Sequence, residues 1–567
     1  MQVSDLSLSP YFLSSEQINS IQEKLKTMSI EEKIGQLFFV IGPDDEQVDL
    51  EYFISKYQPG GVMYRPSTAE KIKSQIAVLQ KVSKIPLFTA ANLEAGGNGI
   101  LTEGTYFSQP LGVAATGDSN NAYQLGKIGG AEGKSVGINM AFGPIVDIDL
   151  NFQNPITNTR TFGSSPETVI TFAKQQMEGF KAEGVIPVIK HFPGDGVDQR
   201  DQHLLSSVNI LSTDHWDQSF GKVYKSFIEE DIPAIMIGHI LLPEYVQLLN
   251  PENDKSQLLP ASLSSELIQG LLRRKLGFNG LTITDATPMI GYNASLPREI
   301  AIPSSIAAGI DMILFNKNID EDYLFMKNGL AKGLVTEEQI NQAVLRILGT
   351  KAAQGIFETK VSEGSSSLAK AVKEKYSLAT VKNAKEAVTL VKDTKNYLPL
   401  SPKKTSRIRL YVLGDEDTGG FKQGGQVGNL FKEKLTHEGF EVTIFDPENL
   451  DFHEVFEEGV ADLKEKFDLA FYVANVETAS NQTTTRINWI PLMAANAPWF
   501  VQDIPTIFVS TANPYHLFDV PMVPTYINAY SSNKETIDAV IEKVMGREEF
   551  VGKTPVDPFQ NTFGVRF

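Results

Sequence analysis

"VIPVIKHFPGDGVDQRDQHLL", Val185–Leu205, joins an apolar run to a loop crowded with titratable groups. The run Val185–Ile189 is short, rich in β-branched residues and almost continuously apolar, as a strand buried on both faces reads. The loop beyond it, Lys190–Leu205, packs Lys190, His191, Asp195, Asp198, Arg200, Asp201 and His203 among glycines. Solvated surface charge is the plain explanation of such a loop, and catalysis is the sharper one.

Seven further runs of the same kind recur along the chain: Gln36–Val40, Gly61–Tyr64, Pro86–Asn92, Asn139–Asp147, Pro233–His239, Leu281–Asp285 and Asp311–Phe315. Amphipathic stretches lie between them, among them Ser67–Val82, Ser165–Glu183, Leu263–Lys275 and Leu296–Gly309. Buried strands alternating with helices indicate a parallel sheet. Eight such units predict an α/β fold whose first part is a (β/α)8, TIM-type barrel, with a doubly wound open sheet as the rival. A barrel places its chemistry at the C-terminal ends of its strands. Those ends here carry Asn92 and Glu94, Asp147, Lys190 and His191, His239, and Asp285. A helix from Thr336 to about Gly355 closes the pattern, and the polar stretch Lys360–Lys370 reads as a linker. From "AVTLVKD" onward the alternation resumes through RIRLYVLG, EVTIF, DLAFYVAN, PTIFVST and PTYINAY. The expected organisation is a barrel over 1–358, a linker and connecting helix over 359–386, and a smaller α/β sandwich domain over 387–567.

Bulk properties exclude several functions. The net charge of −18 argues against nucleic acid or an anionic membrane as the main partner. The absence of cysteine rules out disulfides, thiol nucleophiles and Cys-ligated metals. No apolar stretch approaches the roughly 18 residues that span a bilayer. The N-terminal stretch has neither a basic nor an apolar signal region, so the cytoplasm is the default expectation. "VGKTP" at Val551–Pro555 fails the P-loop spacing and puts a proline where a helix should start, so it reads as a loop. His191, Asp201 and His203 could be imagined around a metal, but zinc signatures have tighter, recurring spacing.

Taken together, "GPIVDID…NPITNTRTFG", "KHFPGDG…DQH", "IMIGHI", "LPASLSSELIQGLLRRKLGFNGLTITDA" and "AAGIDMILF" resemble glycoside hydrolase family 3 across both domains. Within it the chain is most similar to the bacterial β-N-acetylglucosaminidase branch. The resemblance implies a retaining exo-acting hydrolase that releases a terminal N-acetylglucosamine-like sugar, with no metal or organic cofactor. It implies Asp285 as nucleophile, His203 as acid/base with Asp201 as partner, and Arg160, Lys190 and His191 gripping the sugar, with His239 lining the same mouth. Two positions depart from the family. Asp195 replaces the second histidine of K-H-F-P-G-H-G, and Asn92 replaces the aspartate of D-x-E-G-G, with an extra Ala95 behind Glu94. An amide at Asn92 accepts a hydroxyl without charge and grips it more weakly. The implied partner is a carbohydrate, and oligomeric state stays open. The alternatives are a β-glucosidase or a glycoside phosphorylase of the same family and, outside enzymes, an inactive sugar-binding scaffold.

Two further expectations concern mobility and docking. Gly194 and Gly196 suggest a loop that brings His203 in only when sugar binds. The second domain is expected to dock on the barrel mouth, with Trp489 either an aglycone surface or an interface anchor.

Overall fold

The computed structural model describes residues 5–43, 49–252, 258–358, 368–415 and 425–559. Eight parallel strands occur where the apolar runs fall: β1 Phe38–Ile41, β2 Gly61–Met63, β3 Phe88–Ala91, β4 Met140–Ala141, β5 Ile186–Phe192, β6 Ala234–Ile237, β7 Leu281–Thr284 and β8 Ile313–Leu314. They neighbour one another in chain order, and β8 pairs with β1. Between β7 and β8, Met312 N–H donates to Thr282 O at 3.0 Å and Thr284 N–H to Met312 O at 2.9 Å, which closes the ring. An open sheet would leave two edges unpaired, so the barrel reading holds. Its interior is packed by aromatic side chains, with the Phe39 ring 5.4 Å from Phe142 and 6.4 Å from Phe88.

Local chemistry explains the strand limits that matter for the mouth. β4 is shorter than its apolar run because Pro144 has no N–H to continue the ladder, and only Ile145 bridges back to Lys190. The register between β5 and β6 shifts between Ile189 and Phe192. An irregularity of this kind re-aims side chains, and the consecutive Lys190 and His191 both reach groups at the mouth. Helices start on expected signals: Ser165 caps Thr168 N with Pro166 in the first turn, and Thr336 forms a capping box with Gln339.

Helix Leu368–Ala387 leads into a six-stranded sheet, and residues 359–367, where most of the expected linker falls, lie outside the described residues. Strand Thr389–Asp393 runs antiparallel beside Thr525–Asn528, and the remaining pairs are parallel. Along Arg407–Leu413, Ile408 and Leu410 face one apolar layer while Tyr411 and Leu413 face the other. That period of two buries both sheet faces, as a sandwich requires. Trp489 is half-buried against this domain's own core, not on the docked face, and the neighbouring Arg486 is paired with Asp519. Among the described residues no helix is long and apolar enough to cross a membrane.

The second domain sits on loops that follow β3 and β4. Asn533 Nδ2 donates to Tyr106 O and Phe107 O at 2.9 and 3.1 Å, and Lys553 N–H to Ala115 O at 2.8 Å, so the "VGKTP" segment is an interface loop. Beyond β4, Tyr515 Oη donates to Asp149, and Asn158 Nδ2 donates to Asn513 Oδ1 at 3.2 Å. Leu111, Ala115, Ala387, Tyr515, Tyr530 and Val556 form a buried apolar cluster beside these bonds.

Burial pushes the Asp149 carboxyl up to about 6 against the hydrogen bonds from Tyr515, Thr157 and Asn158. A carboxyl raised above its unfolded value of about 3.9 contributes stability below that value and loses it as pH rises through about 6. Asp149→Asn should therefore flatten the fall in thermal midpoint between pH 4 and pH 7, measured by scanning calorimetry with both domains present. An unchanged pH dependence would mean that the interface tolerates the charge without cost.

Candidate active site

Strand β7 delivers Asp285 to the mouth. Its main-chain N–H donates to Ile237 O at 2.7 Å, and its Oδ1 accepts the Ala286 N–H at 2.7 Å. Oδ2 is buried yet has no hydrogen-bond partner among the described residues. Burial raises a carboxyl, but His191 foremost, then His239, His203 and the Ala286 N–H, together hold Asp285 below the ordinary carboxylate range. The group is thus an ionised carboxylate with one oxygen left unpartnered, which suits a nucleophile.

Strand β5 contributes the next layer. His191 Nδ1 donates to Asp147 Oδ2 at 2.7 Å, since a carboxylate only accepts, and Nε2 then lies 3.9 Å from Asp285 Oδ2. That separation is too wide for a direct hydrogen bond. Asp147 Oδ1 also accepts the main-chain N–H groups of His191 and Asp195, at 3.1 and 2.8 Å, so it pins the start of the loop. Lys190 Nζ donates to Glu94 Oε1 at 2.5 Å and to Asn92 Oδ1 at 3.2 Å. Arg160 grips the same Glu94 carboxylate with two bonds of 2.9 Å. Burial works against the charge on Glu94, but Arg160 and Lys190 win and hold it well below the usual carboxylate range. Asn92 is exposed, and among the described residues its amide nitrogen has no protein hydrogen-bond partner.

The loop beyond β5 brings His203 back over this floor. His203 Nδ1 donates to Asp201 Oδ1 at 2.7 Å, which leaves Nε2 as its other ring nitrogen, on a side chain 23% exposed. Gln202, between the two, is completely buried. Its Oε1 accepts the His239 N–H at 2.7 Å, its Nε2 donates to Asp195 Oδ2 at 3.3 Å, and its carbonyl accepts the Gly291 N–H at 3.0 Å. Asp195 also accepts from Asn154 Nδ2 and the Gly196 N–H, at 2.9 and 2.7 Å. Burial, reinforced by the Asp147 charge, lifts its carboxyl to about 6.

Two expectations change here. A Cβ on Gly194 would meet the Phe220 ring at 2.1 Å, and one on Gly196 would meet Ile148 O at 2.0 Å, both at positive φ. These glycines allow close packing and left-handed backbone, and the loop is tied down, not free. His239 is fully buried, with Nδ1 on Ser262 Oγ at 2.8 Å and Nε2 on Ala286 O at 3.1 Å. Burial drops its pKa to about 4. With both ring nitrogens engaged it stands behind the mouth and braces the residue after Asp285, instead of lining the sugar site.

Asp285, His203, Asp201, His191, Lys190, Arg160 and Asn92 therefore converge. From sequence alone Glu94 and Asp147 read only as polar strand ends, and nothing there points to Gln202 or to the second domain's contact with Asp201. Spacing gives no signal for a partner that comes from another strand or domain.

The model for the glycosyl hydrolase family 3 N terminal domain matches residues 29–350. A β-N-acetylglucosaminidase/β-glucosidase of Cellulomonas fimi is 40% identical over 559 residues, covering 98% of each chain. The solved structure of a β-glucoside phosphorylase bound to 2FGlc is 45% identical with a TM-score of 0.92, over 98% of this chain and 99% of that one. A family 3 β-N-acetylglucosaminidase from Paenibacillus sp. str. FPU-7 shares the fold, with a TM-score of 0.78 at 23% identity over 94% of this chain and 99% of that one.

Glu94→Gln would leave Arg160 and Lys190 facing a neutral amide. Removing one partner of a buried ion pair costs about 3–5 kcal/mol, so the unfolding midpoint in denaturant should fall, and activity with it. A variant of undiminished stability would show that solvent neutralises the two cations.

Proposed function

Since the chain belongs to glycosyl hydrolase family 3, we propose that it removes a terminal β-linked sugar of the glucose or N-acetylglucosamine type through two displacements at one carbon. Asp285 Oδ2 attacks the anomeric carbon as the bond to the leaving oxygen breaks, and His203 Nε2 gives that oxygen its proton. The step leaves a glycosyl ester of Asp285 with inverted configuration and a neutral imidazole held on Asp201. A water then attacks from the face the leaving group vacated, its proton returns to Nε2, and Asp285 departs as carboxylate. Two inversions give net retention.

The observation that carries this reading is an unpartnered carboxylate oxygen on a strand end, sharing its mouth with an imidazole whose Nδ1 is fixed on a buried carboxylate. Arg160, Lys190, His191 and Asn92 are the proposed sugar contacts. His239 supports the mouth from behind. The names of the two relatives of 40% and higher identity have β-glucosides in common, which supports a gluco-configured substrate.

A second reading concerns the acceptor. A carboxylate acid/base becomes an anion after the first step, and two unit charges 4 Å apart at an effective dielectric of 20 repel by about 4 kcal/mol. A neutral imidazole spares an incoming phosphate that repulsion. The 45% identical structure named a β-glucoside phosphorylase favours phosphate in the place of water.

Aryl β-glucoside and aryl β-N-acetylglucosaminide, each with and without inorganic phosphate, test both readings. Phosphate should speed breakdown of the ester and yield a sugar 1-phosphate of unchanged anomeric configuration. Free sugar at a phosphate-independent rate would reduce the reading to hydrolysis, and no turnover of either glycoside would refute it. His203→Ala should lose at least about 10²-fold on alkyl glycosides, which need a proton on the leaving oxygen, and little on dinitrophenyl glycosides. Equal losses on both would remove His203 from the role of acid.

A further inference from the structure

The acid/base pair is held from two sides, and one side is the second domain. The Asp201 carboxylate is buried, and it accepts from both domains. Oδ1 accepts the main-chain N–H and the ring Nδ1–H of His203, at 2.8 and 2.7 Å. Oδ2 accepts the main-chain N–H groups of Asn481 and Gln482, at 2.7 and 3.3 Å. Two successive amides aimed at one oxygen form the concave arrangement by which backbone binds anions.

From this contact we infer that the Ser480–Gln482 turn of the second domain is a positioning element of the acid/base, which orients His203 through Asp201. The inference rests on the reading of His203 as the acid. A carboxylate held only at Oδ1 can rotate about its last side-chain bond and carry the imidazole with it. The amides on Oδ2 fix the carboxylate plane, and the plane fixes where Nε2 points. The barrel supplies the other half of the restraint through Gln202, whose clamped side chain and carbonyl hold the backbone between the two residues.

The turn is built for this geometry. Asn481 has a φ of 65°, in the left-handed region that asparagine and glycine enter readily and β-branched residues avoid. Its flanks are tied to the barrel beside the sugar clamp. Thr159, next to Arg160, donates from Oγ1 to Thr478 Oγ1 at 3.2 Å. Asn513 accepts from Asn158 through Oδ1 and donates through Nδ2 to Thr485 O at 2.8 Å. The second domain thus touches both the acid/base and the residues that lead into Arg160.

Domain docking alone would also use such contacts, so the test must separate orientation from adhesion. In the full-length chain, Asn481→Val should distort the turn, Asn481→Ala should do so less, and Asn481→Gly, which keeps the N–H and the left-handed backbone, is the conservative control. The expected result is a graded loss of kcat/KM on alkyl β-glucosides, about tenfold or more for Asn481→Val, with less than about twofold loss on dinitrophenyl β-glucoside, because only poor leaving groups need the proton. In an Asp201→Ala background the same Asn481→Val change should add no further loss, since its target is gone. Losses equal across leaving groups, or fully additive with Asp201→Ala, would make the turn a docking contact and overturn the inference. If Asn481→Val fails to fold, the Ala and Gly variants still give the comparison. Should His203→Ala itself show no dependence on the leaving group, the reading of His203 fails, and that outcome is distinct from a failure of the turn.

Discussion

Asp201 is a buried carboxylate with one oxygen on the histidine of a barrel loop and the other on the backbone of a second domain. The rest of the site depends on how that loop is held. Asp285 needs little help, because it ends a strand whose backbone is bonded to its neighbours. His203 lies well beyond the end of β5 and would wander without restraint. Glycines that admit Phe220 and the Ile148 carbonyl, the Gln202 clamp and the Asp147 anchor convert that loop into a fixed platform. Preorganisation of this kind lets a charge or proton act without reorganisation at the moment of reaction.

The floor of the mouth shows a competition between burial and pairing. Glu94, Asp147 and Asp285 are all removed from much of their solvent, yet each is set among cations or N–H donors. For Glu94 the two cations overcome burial, and for Asp285 the surrounding histidines do. Asp195 and Asp149 have only neutral donors for hydrogen bonds, and burial wins there, with both carboxyls lifted to about 6. Glu94 and Asp285 are thus kept charged, while Asp195 and Asp149 bear the cost of their position.

Most of the fold was legible because buried parallel strands leave continuous apolar runs, and each of the eight runs became a barrel strand. The proposed nucleophile Asp285 and the proposed His203–Asp201 pair stand out through the resemblance of their motifs to the family's, and those motifs are short local stretches of sequence. What was not legible depends on contacts distant in sequence. Asn92 reads as a weakened sugar grip, but its neighbour Glu94 gathers Lys190 from β5 and Arg160 from the loop after β4. His239 follows the same strand-end rule as Lys190 and His191, yet Ser262 and Ala286 occupy its ring. Gly194 and Gly196 gave the same letter for mobility and for tight packing, and only the neighbours distinguish the two.

The central claim is that Asp285 forms a covalent bond to the sugar. The most direct measurement is peptide mass mapping after inactivation with a 2-deoxy-2-fluoro β-glucoside bearing an activated leaving group, which slows ester breakdown more than ester formation. The account predicts a single added fluorosugar on the peptide containing Asp285, released when an acceptor is supplied. An adduct on Glu94, Asp147 or Asp195, or turnover by way of no adduct with inverted product configuration, would contradict it.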